Sequence, residues 1–142
     1  VELVFPVHPN PSVRTAVDAE FSGAGRIHCI EPLEYTDFLH LLSRAWLVAS
    51  DSGGVQEEAP SLGKPLLVLR DTTERPEVLD CGVGRLVGHS GERLEEMLET
   101  ALVDESWFDI VRTTKNPFGK GDAGEQIASA IERFFTTKTG DA

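Results

Sequence analysis

Residues 51–60 read DSGGVQEEAP, and this stretch decides how the rest of the chain is interpreted. It follows the apolar run AWLVA at 45–49, which predicts a buried parallel strand, and it opens a helix that Pro60 and Gly63 are predicted to close. A strand, a Ser-Gly-Gly turn and a helix N-terminus predict an anion site, because backbone amides and the helix dipole supply positive charge there. The two glycines also let an anion approach the backbone without a side chain in the way.

The composition limits the classes of protein that the chain can represent. Its 142 residues are 40% hydrophobic, which predicts one globular domain across residues 1–142. Thirteen basic and 24 acidic residues give a net charge of −11, which argues against nucleic-acid binding but allows a small anionic ligand held by local amides. No apolar run reaches membrane-spanning length, and no signal peptide is expected.

Two further features of the composition concern the start of the chain and its compartment. The chain begins at Val1 and its one methionine is Met97, so we expect it to be part of a longer protein. Cys29 and Cys81 form no CxxC motif, so neither a metal site nor a disulfide is expected, and a reducing cytoplasm is the default compartment.

Strand and helix patterns alternate through the first two-thirds of the chain. Apolar runs predict strands at 1–7, 27–30, 45–49, 66–69 and 84–88. Helical spacing predicts helices at 12–21, 35–44 and 90–103, and a last helix near 124–136. This alternation predicts an α/β fold with a Rossmann-like parallel sheet that carries helices on both faces.

Polar stretches follow three of these strands directly, at 8–11, 51–54 and 70–75. The carboxyl ends of parallel strands lie along one edge of a sheet, and ligands bind in the crevice there. We therefore expect the three stretches to converge on one site.

The individual residues in these stretches each have two interpretations. Ser52 can be an ordinary helix N-cap, although its place after a central strand favours ligand binding. Glu57 and Glu58, in the first turns of the helix, either complement the helix dipole or supply a carboxylate that accepts hydrogen bonds from ribose hydroxyls. His8 is an acid, a base or a phosphate contact, or else a turn histidine bonded to the backbone.

The remaining candidates are a pair of arginines and an aromatic residue. Arg70 and Arg75 either offset phosphate charge or pair with the acids beside them. Phe38 either stacks on a base or belongs to the core. Three further histidines lack a comparable setting and are interpreted as structural or surface residues: His28, His40 and His89.

Four motifs together resemble a known family. They are VHPNP at 7–11, DSGGVQEEAPSLGKPLLVLRDTTERPE at 51–77, RLVG at 85–88 and NPFGKGDA at 116–123. They are similar to the C-terminal half of the non-hydrolysing UDP-N-acetylglucosamine 2-epimerases, and the resemblance extends through essentially all of the chain. It implies the C-terminal half of a glycosyltransferase-B fold, whose C-terminal domain binds the UDP part of the substrate.

The resemblance also implies an isomerase activity for the intact protein. Members of the family interconvert UDP-GlcNAc and UDP-ManNAc by anti elimination of UDP, through a 2-acetamidoglucal intermediate, followed by re-addition. Carboxylates of an N-terminal domain move the C2 proton, so the domain alone is expected to be inactive. The resemblance implies no cofactor and no metal, a cytoplasmic homodimeric parent, and a role in cell-envelope polysaccharide biosynthesis without nucleic-acid or membrane partners.

The resemblance assigns roles to residues of the Ser-Gly-Gly turn and its helix. Ser52, Gly53 and Gly54 would hold the diphosphate through amides and a hydroxyl. Glu58 would hold the ribose hydroxyls, and Arg75 would lie at the edge of the active site.

It assigns further roles to residues nearer the start of the chain. Phe38 would stack near the uracil, whose edge would be read by backbone around Leu33. His8 would be a catalytic residue near the phosphates, acting with acids of the N-terminal domain. The alternatives are a glycosyltransferase or a hydrolysing epimerase of the same architecture, and a non-catalytic UDP-sugar-binding module.

Overall fold

The computed structural model describes the backbone of residues 1–139 and the side chains of residues 1–136. Contacts within the chain divide it into two compact units, Val1–Arg44 and a second unit that begins at Ala45. Both units contain parallel strands connected by helices. The predicted α/β class is therefore confirmed, whereas a single domain across residues 1–142 stays a prediction.

The first unit consists of two strands and two helices: β1 (Leu3–Pro6), α1 (Pro11–Phe21), β2 (Ile27–Ile30) and α2 (Tyr35–Arg44). The strands pair in parallel, from Leu3 opposite Ile27 to Pro6 opposite Ile30. Helix α1 begins one residue earlier than predicted, because a proline suits the first helical position. The Asn10 side chain caps this helix by accepting a hydrogen bond from the Ser12 amide at 3.0 Å.

The second unit contains three strands and five helices within its described residues: β3 (Val48–Ser50), α3 (Gly53–Leu62), β4 (Leu66–Val68), α4 (Pro76–Asp80), β5 (Gly84–Leu86), α5 (Gly91–Val103), α6 (Ser106–Thr113) and α7 (Ala123–Thr139). The strands form a parallel sheet in the order β3-β4-β5. All three residues of β4 are 0% exposed, as expected for the central strand of a sheet covered on both faces.

The start of β3 differs from the prediction, because residues 45–47 do not join the sheet. Tertiary contacts hold these residues instead. Lys64 Nζ donates a hydrogen bond to the Ala45 carbonyl at 2.9 Å, and the Trp46 ring stacks on Phe108 with 5.2 Å between the ring centroids. The apolar run therefore enters the strand only at its last two residues. Its first three residues form an irregular segment between α2 and β3.

The end of α3 confirms one half of its predicted closure and corrects the other. Gly63 adopts the left-handed conformation with φ 61°, which is the predicted C-cap. Pro60 does not close the helix, since α3 continues through it to Leu62. Pro60 is buried within the helix, although a proline there donates no backbone hydrogen bond and its ring crowds the carbonyl four residues earlier.

Candidate functional site

The N-terminus of α3 lies directly after β3, at the carboxyl edge of the three-stranded sheet. Ser52 is the N-cap residue, but its side chain makes no capping hydrogen bond and is exposed. The helical hydrogen-bond ladder begins with the Gln56 amide, which donates to the Ser52 carbonyl at 3.4 Å. The amides before Gln56 have no partner within the helix, so this end can receive an anion.

Arg75 lies beside this helix end, although it comes from the loop between β4 and α4. Its guanidinium occupies the space next to Gly53: a β-carbon at Gly53 would be 3.1 Å from Arg75 Cζ. Arg75 Nε donates to Glu57 Oε1 at 2.6 Å, and its Nη1 is 3.3 Å from Glu74 Oε1. The structure thus places a cationic side chain against the N-terminal turn of α3, where its charge adds to that of the helix dipole.

The two neighbouring carboxylates of α3 are in different situations. Helix α3 begins at Gly53, so Glu57 and Glu58 lie in its second turn, and no acid lies in the first turn. The dipole explanation for these acids is weakened, since the dipole effect falls off within the first turn. Glu57 pairs with Arg75, whereas Glu58 is half-buried and has no hydrogen bond or ion pair within the described residues. Glu58 is therefore the carboxylate with acceptor capacity left for a ligand.

A buried glutamine, which the sequence motifs did not single out, connects the two segments of this site. Gln56 is 0% exposed; its Oε1 accepts a hydrogen bond from Thr73 Oγ1, and its Nε2 donates to the Ser52 carbonyl at 3.4 Å. Helical spacing alone did not reveal this role, because Gln56 shares a helix face with Pro60, whose burial only the structure shows. A polar residue at such a position requires internal partners.

Arg70 pairs with Glu74, with Nη1 3.1 Å and 2.9 Å from the two carboxylate oxygens. A hydrogen bond from its own backbone lowers the pKa of Glu74, and the hydrogen bonds from Arg70 lower it further. The alternative interpretation of Arg70, pairing with a neighbouring acid, is thus the observed one. Arg75 combines both interpretations, since it pairs with acids and also lies at the helix end.

In the first unit, the candidate residues follow the carboxyl ends of its two parallel strands. His8 follows β1, and Leu33 lies in the loop after β2 with 37% of its surface exposed. The Asn10 amide donates to His8 Nδ1 at 3.2 Å, so Nδ1 is the acceptor and the neutral ring carries its hydrogen on Nε2. His8 is therefore bonded to the backbone through Nδ1, and its exposed Nε2–H can donate a hydrogen bond to a ligand. Phe38 is half-buried in the first turn of α2.

An ion pair joins α1 to the loop that contains Leu33. Arg14 donates to both carboxylate oxygens of Glu31, with Nη1 2.9 Å from Oε1. This hydrogen bonding lowers the pKa of Glu31 and raises that of Arg14. Val7, Asp18, Cys29 and Ile30 join the pair around a shallow cavity. The pair connects α1 to the start of the β2–α2 loop within the first unit.

The other histidines and the cysteines add no second site. His28 Nε2 is 2.9 Å from Glu2 Oε2, and His89 Nε2 is 3.4 Å from Asp71 Oδ2, both at exposed positions. Cys29 and Cys81 are free thiols. Among the described side chains, no group of three or more His, Cys, Asp or Glu residues is arranged to hold a metal ion. The described helices include none with the length and hydropathy of a membrane-spanning segment.

The predicted site residues thus form two groups, one in each unit. Ser52, Gly53, Gly54 and Arg75 come together in the second unit, at the N-terminus of α3. His8, Leu33 and Phe38 belong to the first unit. The convergence of the three polar stretches is therefore observed for residues 51–54 and 70–75, and it stays a prediction for residues 8–11.

Comparison with known proteins identifies the family. A family model described as UDP-N-acetylglucosamine 2-epimerase matches residues 1–132. A probable UDP-N-acetylglucosamine 2-epimerase of Ralstonia nicotianae is 48% identical over 135 residues, which cover 95% of this chain and 36% of the relative. The UDP-N-acetylglucosamine 2-epimerase of Escherichia coli K12 is 45% identical over 132 residues, covering 93% of this chain and 35% of the relative. The chain spans little more than a third of the length of these relatives.

A solved structure supports the same conclusion. The crystal structure of UDP-GlcNAc 2-epimerase from Neisseria meningitidis bound to UDP-GlcNAc has a TM-score of 0.87 and 41% identity to this chain. The similarity covers 93% of this chain and 36% of that structure, and it confirms the predicted glycosyltransferase-B type of fold. Since the family model matches nearly the whole sequence, the chain belongs to the UDP-N-acetylglucosamine 2-epimerase family.

Proposed function

We propose that this chain is the UDP-binding domain of a UDP-N-acetylglucosamine 2-epimerase, an isomerase that interconverts UDP-GlcNAc and UDP-ManNAc. The observation that carries the proposal is the position of the Arg75 guanidinium against the first turn of α3, beside Gly53. Amides, a helix dipole and an arginine are the groups that bind a diphosphate. Relatives that are named for this activity, and the related structure bound to UDP-GlcNAc, support the choice of ligand.

The proposed reaction begins with elimination of UDP, and this chain stabilises the leaving group. Negative charge builds up on the diphosphate as the glycosidic C–O bond breaks. The Ser52 hydroxyl, the fixed amide dipoles of Gly53 and Gly54 and the charge of Arg75 stabilise that charge without reorganising, which is the usual source of electrostatic catalysis. The same groups hold UDP for its re-addition to the 2-acetamidoglucal intermediate.

The remaining contacts with the substrate are divided between this chain and an N-terminal domain. Glu58, whose carboxylate is unpaired in the described structure, accepts hydrogen bonds from the ribose hydroxyls. Leu33 backbone reads the edge of the uracil and Phe38 stacks near it, while His8 donates its Nε2 hydrogen to a phosphate. Carboxylates of an N-terminal domain move the C2 proton, so the active protein is longer than this chain. We further propose that this longer protein is cytoplasmic and homodimeric.

Calorimetry with the isolated chain tests the binding half of this proposal. We expect UDP to bind, and UDP-GlcNAc to bind with similar or weaker affinity. If neither ligand binds, the claim that this chain contains the nucleotide site is wrong.

Product analysis with the longer protein tests the reaction. UDP-ManNAc formed from UDP-GlcNAc supports the epimerase. Free ManNAc with released UDP identifies a hydrolysing enzyme instead, and binding without turnover identifies a UDP-sugar-binding module.

A further inference from the structure

Gln56 and Thr73 form the buried connection between α3 and the loop that carries Arg75. Gln56 is 0% exposed and uses both ends of its amide: Oε1 accepts from Thr73 Oγ1, and Nε2 donates to the Ser52 carbonyl at 3.4 Å. A glutamate or a hydrocarbon side chain cannot make both bonds. The glutamine therefore ties the Thr73 hydroxyl to the residue that caps the helix.

The Thr73 hydroxyl continues this connection to Arg75. It donates to Gln56 and accepts a hydrogen bond from the Arg75 amide at 3.1 Å. A hydroxyl group can donate and accept at once, so Thr73 fixes the backbone at the point from which the Arg75 side chain departs. Arg75 is also the residue that precedes the first turn of α4, so its backbone is held from both sides.

The exposed ion pairs of Arg75 fix its position less firmly than the hydrogen bonds of the buried Gln56 do. Its partners Glu57 and Glu74 have side chains that are 47% and 58% exposed. Ion pairs at such positions contribute little, because water and salt screen them and the side chains lose entropy on pairing. The hydrogen bonds of buried Gln56 are much harder to give up, since an unsatisfied buried polar group is costly. The connection through Gln56 therefore determines where the Arg75 backbone lies.

We infer that Gln56 and Thr73 are positioning residues, which hold Arg75 so that its guanidinium meets the diphosphate at the N-terminus of α3. The inference rests on the proposed function, because it needs UDP as the ligand. It predicts that removing the Thr73 hydroxyl weakens the binding of the diphosphate and leaves the binding of the nucleoside unchanged.

The experiment compares UDP and uridine binding to the full chain in wild type, Thr73→Val and Thr73→Ser. We expect Thr73→Val to lower UDP affinity about tenfold without changing uridine affinity. This factor corresponds to the loss of one hydrogen bond between the Arg75 guanidinium and the diphosphate. Thr73→Ser keeps the hydroxyl and should restore UDP affinity. Thr72→Val is the matched control, because Thr72 is exposed and has no hydrogen bond in the described structure.

A double-mutant cycle separates positioning from a purely structural role. In an Arg75→Ala background, Thr73→Val should have little further effect on UDP affinity, since its target is gone. Additive losses, equal losses for UDP and uridine, or an equal effect of Thr72→Val would overturn the inference. Nuclear magnetic relaxation of the Arg75 Nε–H provides a second test, and an unchanged mobility in Thr73→Val also contradicts it. Failure of the wild type to bind UDP would instead reject the proposed function.

Discussion

The guanidinium of Arg75 occupies the space that a side chain at Gly53 would need. A β-carbon at Gly53 would be 3.1 Å from both Cζ and Nη1 of Arg75, which is closer than side chains normally approach. Gly54 is different, because a β-carbon there would meet only Ser52 Oγ, at 3.8 Å. The first glycine thus makes room for an arginine of the same chain, and the second leaves room for a ligand.

Substitution of these two glycines by alanine should separate the two roles. Gly54→Ala should change the free energy of unfolding by less than about 1 kcal/mol, since alanine suits a helix. It should still lower UDP affinity at least about tenfold by blocking approach of the phosphate. Gly53→Ala should lower UDP affinity by displacing Arg75. Calorimetry in an Arg75→Ala background is the control: there Gly53→Ala should have no further effect, and Gly54→Ala should keep its effect. Unchanged UDP affinity in Gly54→Ala would favour an ordinary helix cap.

Glu57 and Glu58 should respond differently to loss of charge. Glu58→Gln should lower UDP affinity by roughly tenfold or more, the loss of charge-assisted hydrogen bonds from the ribose. It should not change the affinity for 2′,3′-dideoxyuridine diphosphate, which lacks those hydroxyls. Glu57→Gln removes only the partner of Arg75, so it should affect both nucleotides equally. If Glu57→Gln alone distinguishes the two nucleotides, the ribose contact belongs to Glu57.

The Asn10 amide donates to His8 Nδ1, so we expect His8 to act as a hydrogen-bond donor through Nε2. His8→Ala in the longer protein should lower kcat/KM by roughly 10²-fold, a typical effect of losing one donor to developing charge, while the thermal midpoint stays the same. His8→Gln places an amide donor near the position of Nε2 and should recover part of the rate. Normal turnover in His8→Ala would remove His8 from the site. A glutamine variant as slow as the alanine variant would indicate proton transfer instead.

The Arg14–Glu31 pair should make a small contribution to stability that depends on pH. Hydrogen bonding from Arg14 lowers the pKa of Glu31 in the folded chain. The contribution is therefore complete above the ordinary pKa of a glutamate and is lost as the pH falls through the lowered value. The difference in thermal midpoint between wild type and Glu31→Gln should be largest near neutral pH and vanish in acid. Glu34→Gln, an exposed position on the same loop, should show no such change.

Much of the fold was predictable because its signals are local. Gly63 ends α3 as a left-handed cap, and the apolar run of β4 becomes the central strand. The start of β3 was not predictable in the same way, since Trp46 stacks on Phe108, which lies 62 positions further along the sequence. Apolar composition predicts burial in a strand, but Trp46 stays 43% exposed and packs on Phe108 outside the sheet.

The amino-acid sequence by itself determined the Ser-Gly-Gly turn, the helix that follows it and the family, because short-range backbone preferences and a long motif are both written in consecutive residues. Only the tertiary structure decided which glycine faces Arg75, which glutamate stays unpaired, and that Gln56 is a buried link to Thr73. These relationships join residues about 17 to 22 positions apart, so they depend on how β3, β4 and α3 pack, and hydrogen-bond geometry selects among partners that spacing leaves equivalent.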